Sequence, residues 1–343
     1  MTEDNGGQRR FRHRPPGSNW GDFGPDDRLG RLNLITPERR RKAAEEIREG
    51  LAFCLSLPLD IPGRNVLNPN RKAPTIRPVV RRHGEAYHYR VEQEHAGVVD
   101  VSCDDVITIY SQYSTQWDSL AHNGALFDAD GDGINEEVYY NGYRARVDVS
   151  APDADTGRSG ENPLGIDRLA ESCVQGRGVL VDLEKAFGPA RRQIGRSDLL
   201  HALDVLKVEI GPGDIMCLHT GFARELWKMG DAPDAEALAR IGTEFDGADG
   251  DLLDWITASG IAALVADNAV VEHRPAAPRS EGVLLPLHNH CLFKLGLPLG
   301  ELWYLSDLAA WLDRTGRTRF FLSAPPLRLP GAVGSPVSPV ATV

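Results

Sequence analysis

Two stretches of this chain place carboxylates and imidazoles at spacings that could serve a metal ion or a proton transfer. The first, SQYSTQWDSLAH over residues 111–122, follows the strand-like run DVITIY. If it stays extended, Gln112, Ser114, Gln116 and Asp118 share one face, because side chains alternate along a strand. His122 stands four residues beyond Asp118, one helical turn if the chain coils there. Asp118 and His122 then offer one anionic oxygen and one imidazole, the ingredients of a metal site or an acid–base pair. A plainer reading of the same residues makes Asp118 the cap of a helix and His122 a satisfied, half-buried side chain. The second stretch is PLHNHCLFKLGLPLGELWYL, with His288 and His290 alternating and Glu301 thirteen residues after His288. On a strand both histidines face one way; on a helix only one of them meets a given ligand. Taken alone, Glu301 reads equally well as an exposed residue and His290 as its surface neighbour. Combined with Asp118 and His122, they make a mono- or dinuclear metal site.

A third segment, DADGDGINEEVY from Asp128, is acidic for another reason. Asp128, Asp130, Asp132 and Gly133 copy positions 1, 3, 5 and 6 of an EF-hand loop, but Tyr139 stands where a bidentate glutamate is required. Holding a structural calcium ion would need Glu136 or Glu137 as a substitute; without one the segment is a solvated acidic turn. His83, His88 and His95 have no regular metal spacing. Cys291 beside His288 becomes a nucleophile only as an accessible thiolate, and a buried thiol is inert. Dinucleotide, phosphate-loop and serine-elbow motifs are absent from the sequence.

The elements that must position these residues change in character along the chain. Thr36 before Pro37 is a helix start, and PERRRKAAEEIREG should run to a stop at Gly50. From Leu51 to about Ile109 short alternating runs predict strands and turns. Beyond Ala151, strands alternate with helices: GVLVDL, then SDLLHALDVLK behind a Ser197 cap, DIMCLHT, LLDWITASG, IAALVADNAVV, and finally SDLAAWLD before RFFLS. The expected class is therefore mixed α/β (α+β) around one core, preceded by a mobile arm over residues 1–18, rich in Gly, Arg and Pro. With 38 Lys and Arg against 49 Asp and Glu, the 343 residues carry a net charge of −11, which argues against nucleic acid as a partner. No apolar run approaches the roughly 20 residues of a bilayer crossing, and no hydrophobic signal core opens the chain, so a cytoplasmic location without membrane contact is expected. Five scattered cysteines without a CxxC read as small buried apolar residues.

In their order and spacing, NWGDFGPDDRLGRLNLITPE, STQWDSLAH, VYYNGY, GRGVLVDL, PGDIMCLHTG, VADNAVVE, LHNHCLFKLGLPLGELWYLSDLA and GSPVSPVA resemble the cyclase or kynurenine-formamidase-like metal-dependent hydrolases, which include isatin hydrolase. The resemblance spans most of the chain. It implies a swivelling β/β/α fold over residues 19–343 and a homo-oligomer. The family signature HxGTHxDxPxH lies over Gln112 to His122, with glutamine at both leading histidines (Gln112, Gln116) and Leu120 at the proline. By the resemblance, Asp118, His288 and Glu301 hold a divalent metal with Gln112 and Gln116 assisting, and His122 is the general acid or base. Amide oxygens in place of imidazoles weaken the preference for zinc, so manganese, zinc and magnesium all stay open. Trp117, Asn141, Asp267 and Asn268 are implied to lie near the site in substrate-binding or supporting roles, and Trp20, Phe23 or Tyr140 are candidates for an aromatic wall. The implied reaction is hydrolysis of an amide, lactam or lactone in a small substrate, aromatic ones included. A lyase or ring-closing cyclase using the same pocket, and a catalytically silent small-molecule-binding protein, remain as alternatives.

Overall fold

A computed structural model describes residues 10–275 and 282–343. Its centre is a nine-stranded sheet made of β1 (Ala52–Cys54), β2 (Gln116–Asp118), β3 (Gln175–Asp182), β4 (Ile215–His219), β5 (Ala263–Ala266), β6 (Leu299–Glu301), β7 (Arg319–Ser323), β8 (Gly334–Pro336) and β9 (Val340–Thr342). The spatial order is β1-β9-β7-β3-β4-β5-β6-β2-β8. Strands β3 to β6 run parallel, and antiparallel strands extend the sheet on both sides. The parallel centre follows from sequence: β4 and β5 are buried at every position, as strands covered on both faces must be.

Alternation divides their side chains between two cores. Met216, Leu218, Leu264 and Ala266 join the cluster beneath the helices Arg196–Val205 and Gly250–Ser259. Ile215, Cys217, Ala263 and Val265 join the opposite cluster, covered by the helices Ile166–Glu171 and Ser306–Thr315. Trp117 belongs to this second core. Its ring meets that of Trp303 edge-on at 5.1 Å, and its indole N–H donates to the carbonyl of Ala324. Short paired strands, among them Thr75–Pro78 with Asp105–Thr108, occupy the β-rich region as expected, but outside the main sheet.

Several local expectations change. Thr36 caps its helix through Arg39 N, but the helix stops at Ala44, because Glu49 and Gly50 turn to donate to the carbonyl of Val343 at the other end of the chain. The helix over SDLLHALDVLK starts at Arg196 rather than behind a Ser197 cap; the carboxylate of Asp249, from a neighbouring helix start, accepts from Arg196 N. Of the expected arm, residues 1–9 lie outside the described residues, whereas residues 10–18 pack onto the body. Phe11 is buried against Trp20, and Arg12 N donates to the carbonyl of Ala129. One aromatic side chain and a few backbone bonds outweigh the polar composition there. Cys217 and Cys291 are buried, but Cys54, Cys103 and Cys173 are exposed. Among the described residues no helix is long and apolar enough to cross a membrane.

The segment before the first long helix is locked to the loop after His288 by two glycines. Gly30 has a left-handed φ of 57°, and a Cβ there would stand 2.0 Å from the carbonyl oxygen of Gly296, a backbone atom unable to swing away. Gly17 also has positive φ, but nothing lies within 4 Å of its added Cβ. Gly30→Ala should therefore cost about 3 kcal/mol, strain plus displacement, in denaturant unfolding, and Gly17→Ala only about 1 kcal/mol.

Candidate metal centre

Two neighbouring strands carry the acidic residues, and a third flanks them. In the registers of β2 with β6, Asp118 faces Leu299 and Gln116 faces Glu301, while β8 places Gly334 beside Asp118 on the other edge. Alternation then sends Gln116, Asp118 and Glu301 to one side of the sheet and Trp117 to the other. All three polar residues are buried. The segment before β2 bends instead of staying extended, so Ser114 turns to the carbonyl of Pro58 and Thr115 donates to that of Leu302.

The histidine pair is settled by helical backbone. Pro286–His288 is a turn of α-helix continued by a π-helical stretch, Asn289–Lys294, so the two rings diverge. His288 points at Glu301, with Nε2 3.2 Å from Oε1. His290 points away, and its Nε2 meets the Thr257 hydroxyl at 2.8 Å. Asp118, His288 and Glu301 each present a donor atom within 4.8 Å of the others.

Glu272, the last residue of VADNAVVE but not named among the candidate ligands, orients His288. Its Oε1 accepts from His288 N at 2.8 Å and lies 2.7 Å from Nδ1, while Oε2 accepts from Leu287 N. A carboxylate on Nδ1 fixes the tautomer that leaves Nε2 for the cluster. Burial alone would lower the pKa of His288, but Glu272 and Glu301 together push it up to about 10. The imidazole is thus held in its charged form beside the carboxylate of Glu301.

The remaining oxygens are unsatisfied. Gln116 Nε2 donates to Glu301 Oε2 at 2.7 Å, which leaves Gln116 Oε1 without a partner, and both oxygens of Asp118 are buried with none. Burial raises the Asp118 pKa, and Glu301 adds to it against the pull of His122 and His288. Buried polar atoms are nearly always hydrogen-bonded, so three orphan oxygens in one cluster call for a cation. Two carboxylates, one imidazole and one amide oxygen form a mixed O/N donor set that fits a borderline or hard divalent ion.

His122 stands at the rim. Its Nε2 is 3.9 Å from Asp118 Oδ2, an approach made by a turn, since His122 N donates to the carbonyl of Ser119. Its Nδ1 is 3.0 Å from Gln112 Nε2, and Gln112 Oε1 accepts from Ser111. The Gln112 amide therefore faces His122. Above the cluster opens a cleft of about 680 Å³ whose walls include Arg71, Gln112, Tyr113, His122, His288 and Glu301. Tyr113 also lines it. Arg71, a residue without a sequence signal, donates to the Gln112 carbonyl at 2.7 Å.

Other expected neighbours act elsewhere. Asn141 donates to the carbonyls of Gly24, Pro25 and Asp27, fixing the chain start. Asp267 accepts from Thr220 and Gly221 at the ends of β4 and β5. Asn268 accepts from Val271 N and so shapes the turn that delivers Glu272. Trp20 and Tyr140 are buried, bonded to the Phe293 carbonyl and to Asp27 respectively, and neither they nor Phe23 line the cleft. Cys291 is buried and its thiol pKa is pushed up, so no thiolate nucleophile is available. In the 128–139 loop the three aspartates cluster, yet Asp128 accepts from the N–H groups of Gly131, Asp132 and Gly133, and Glu137 pairs outward with Arg146. The aspartates there fold the loop on its own donors, while Glu136 keeps one buried oxygen unbonded.

The family model described as "Putative cyclase" matches residues 54–273. The chain belongs to this cyclase family. A crystal structure of a novel cyclase is 33% identical to this family member, with a TM-score of 0.76, covering 96% of this chain and all of the other. Isatin hydrolase A from Labrenzia aggregata, bound to benzyl benzoate, and isatin hydrolase A from Ralstonia solanacearum are each 14% identical. Their TM-scores are 0.54 and 0.55, with 88% of this chain and 95% and 93% of theirs covered; at that identity they share its fold. No curated protein sequence matches.

The divergence of the two histidines has a measurable consequence. Burial first, then Lys294 and Arg31, push the His290 pKa down to about 4 from the ordinary 6.5. The unfolded chain takes up a proton that the folded protein refuses. This share of stability is complete above 6.5 and is lost as pH falls toward 4. Between about pH 7.5 and 5, His290→Gln should lose about 2 kcal/mol less unfolding free energy than wild type in denaturant titrations, with metal content unchanged.

Proposed function

We propose that this protein is a metal-dependent hydrolase that opens an amide, lactam or lactone bond of a small substrate lying in the cleft. The observation that carries the reading is the set of orphan oxygens on Asp118 and Gln116, facing Glu301 and the Nε2 of an imidazole already oriented by Glu272. Asp118, His288 and Glu301 would hold the ion, with Gln116 Oε1 as a further donor. Manganese or zinc suits this set, and magnesium is the harder alternative. When bound there, a divalent ion polarises a carbonyl and lowers the pKa of a water molecule.

The chain's own residues supply the rest. Glu272 keeps His288 in the tautomer a ligand needs. His122, with Nε2 toward Asp118 and the cleft, moves the proton between nucleophile and leaving group. For Nε2 to take up and return a proton, Nδ1 of His122 must keep its own, and Gln112 would hold it there with the amide turned so that its oxygen accepts from Nδ1–H. Leu67, Tyr113 and Leu284 give the cleft apolar walls, which favour a substrate with an aromatic or aliphatic body. The chain shares its fold with proteins named isatin hydrolases, and the hydrolase reading is in keeping with that name.

A buried, uncompensated carboxylate burdens the ion-free protein, so the same substitution should stabilise one state and disable the other. In EDTA, Asp118→Asn should raise the unfolding free energy by about 1–3 kcal/mol, because the new amide can donate to Glu301. With manganese or zinc added, wild type should gain thermal stability and the variant should not. Turnover across a panel of formanilides, lactams and aryl lactones should fall by roughly three orders of magnitude, about 4 kcal/mol of transition-state stabilisation. A variant that is no more stable in EDTA and binds the ion as wild type does would sink the reading.

A further inference from the structure

The cleft has a charge opposite to that of the protein. Across the whole sequence acidic residues exceed basic ones by eleven, yet among the described residues of the cleft walls three are arginines, Arg64, Arg71 and Arg274, and the one carboxylate is Glu301. Glu301 is already engaged on both oxygens, by Gln116 and by His288. Elsewhere, arginines of this chain find acids: Arg177 holds Asp214 through two nitrogens, Arg224 holds Glu184, and Arg191 holds Glu244. Among the described residues no carboxylate lies within ion-pair distance of Arg64, Arg71 or Arg274.

Arg71 is the best placed of the three. It is half-buried, and one terminal nitrogen is pinned to the carbonyl of Gln112, whose side chain contacts His122. That bond uses one N–H of a guanidinium with five, and leaves the rest of its planar fork open inside the cleft. A half-buried, pre-oriented guanidinium without an acid is a binding site for a planar anion, and bidentate geometry suits a carboxylate.

We propose that the substrate carries a carboxylate, held by Arg71 with Arg64 as a second cation, while its apolar body lies along Tyr113 and Leu67. Where the reacting bond sits rests on the hydrolase reading; the anion site does not. Arg71 is then a specificity residue that fixes which end of the substrate meets the acidic floor. Neutral amides and lactones of the same shape would enter with no such anchor.

The test is calorimetric binding to the full-length protein in EDTA, where no ion can capture a carboxylate and no turnover occurs. The probes are 4-phenylbutyrate and its neutral isostere, 4-phenylbutyramide. Wild type should bind the acid at least roughly tenfold more tightly than the amide, about what a charge-assisted pair contributes. Arg71→Ala should level the two, Arg71→Lys should restore part of the difference, and Arg64→Ala should reduce it a few-fold. Each variant is first checked for a wild-type melting curve. Equal or undetectable binding of acid and amide by wild type, or a preference that survives Arg71→Ala combined with Arg64→Ala, would overturn the proposal. Tighter binding of phenyl phosphate than of 4-phenylbutyrate would overturn the carboxylate assignment in favour of phosphate. Failure of hydrolysis with every panel substrate leaves this result standing, whereas turnover of neutral amides with no acid preference removes this proposal alone.

Discussion

A buried carboxyl group with neither oxygen hydrogen-bonded is the constraint around which this site is organised. Asp118 lies beneath the cleft with neither oxygen bonded, close to Glu301 and flanked by an amide whose oxygen is also unpaired. Desolvating one such group costs several kcal/mol, and a second carboxylate nearby adds repulsion. A chain selected for stability alone would replace Asp118 with an amide or an apolar residue. The cluster persists because the surrounding structure holds it: antiparallel neighbours β6 and β8 fix β2 on both edges, and Glu272 clamps the backbone and ring of His288.

The fold supplies this rigidity economically. The parallel centre of the sheet is apolar on both faces, so its strands cannot slip without moving a whole row of side chains into the wrong core. The site lies where parallel β5–β6 gives way to antiparallel β2, and the turn after β5, shaped by Asn268, delivers Glu272 from behind. Gly30 and Gly296 close the structure around the loop that follows the histidines, at a distance no side chain could share. Rigid strands thus carry the acidic ligands, while a short irregular helix aims the imidazole.

Much of this was legible in the sequence, and the remainder was hidden for identifiable reasons. Buried runs such as IMCLH and ALVA announce central strands, and Asp118, His288 and Glu301 announce themselves by type and by a family's spacing. Gln112 misled, because parity held only if residues 112–118 stayed extended; the bend before β2 sends its amide to His122. The choice between His288 and His290 needed the π-helical turn, which no periodicity reveals. The roles of Glu272 and Arg71 were hidden, since each acts through contacts with residues at least fifteen positions away. Residues 10–18 were misread because Phe11 alone outweighs their polar neighbours once Trp20 and Phe293 are near.

The most direct trial of the account is anomalous diffraction from crystals of the protein equilibrated with manganese or zinc. It predicts a peak about 2.0–2.3 Å from a carboxylate oxygen of Asp118, from His288 Nε2 and from Glu301. Full occupancy elsewhere with none at this cluster, or no peak at all at saturating ion, would contradict it.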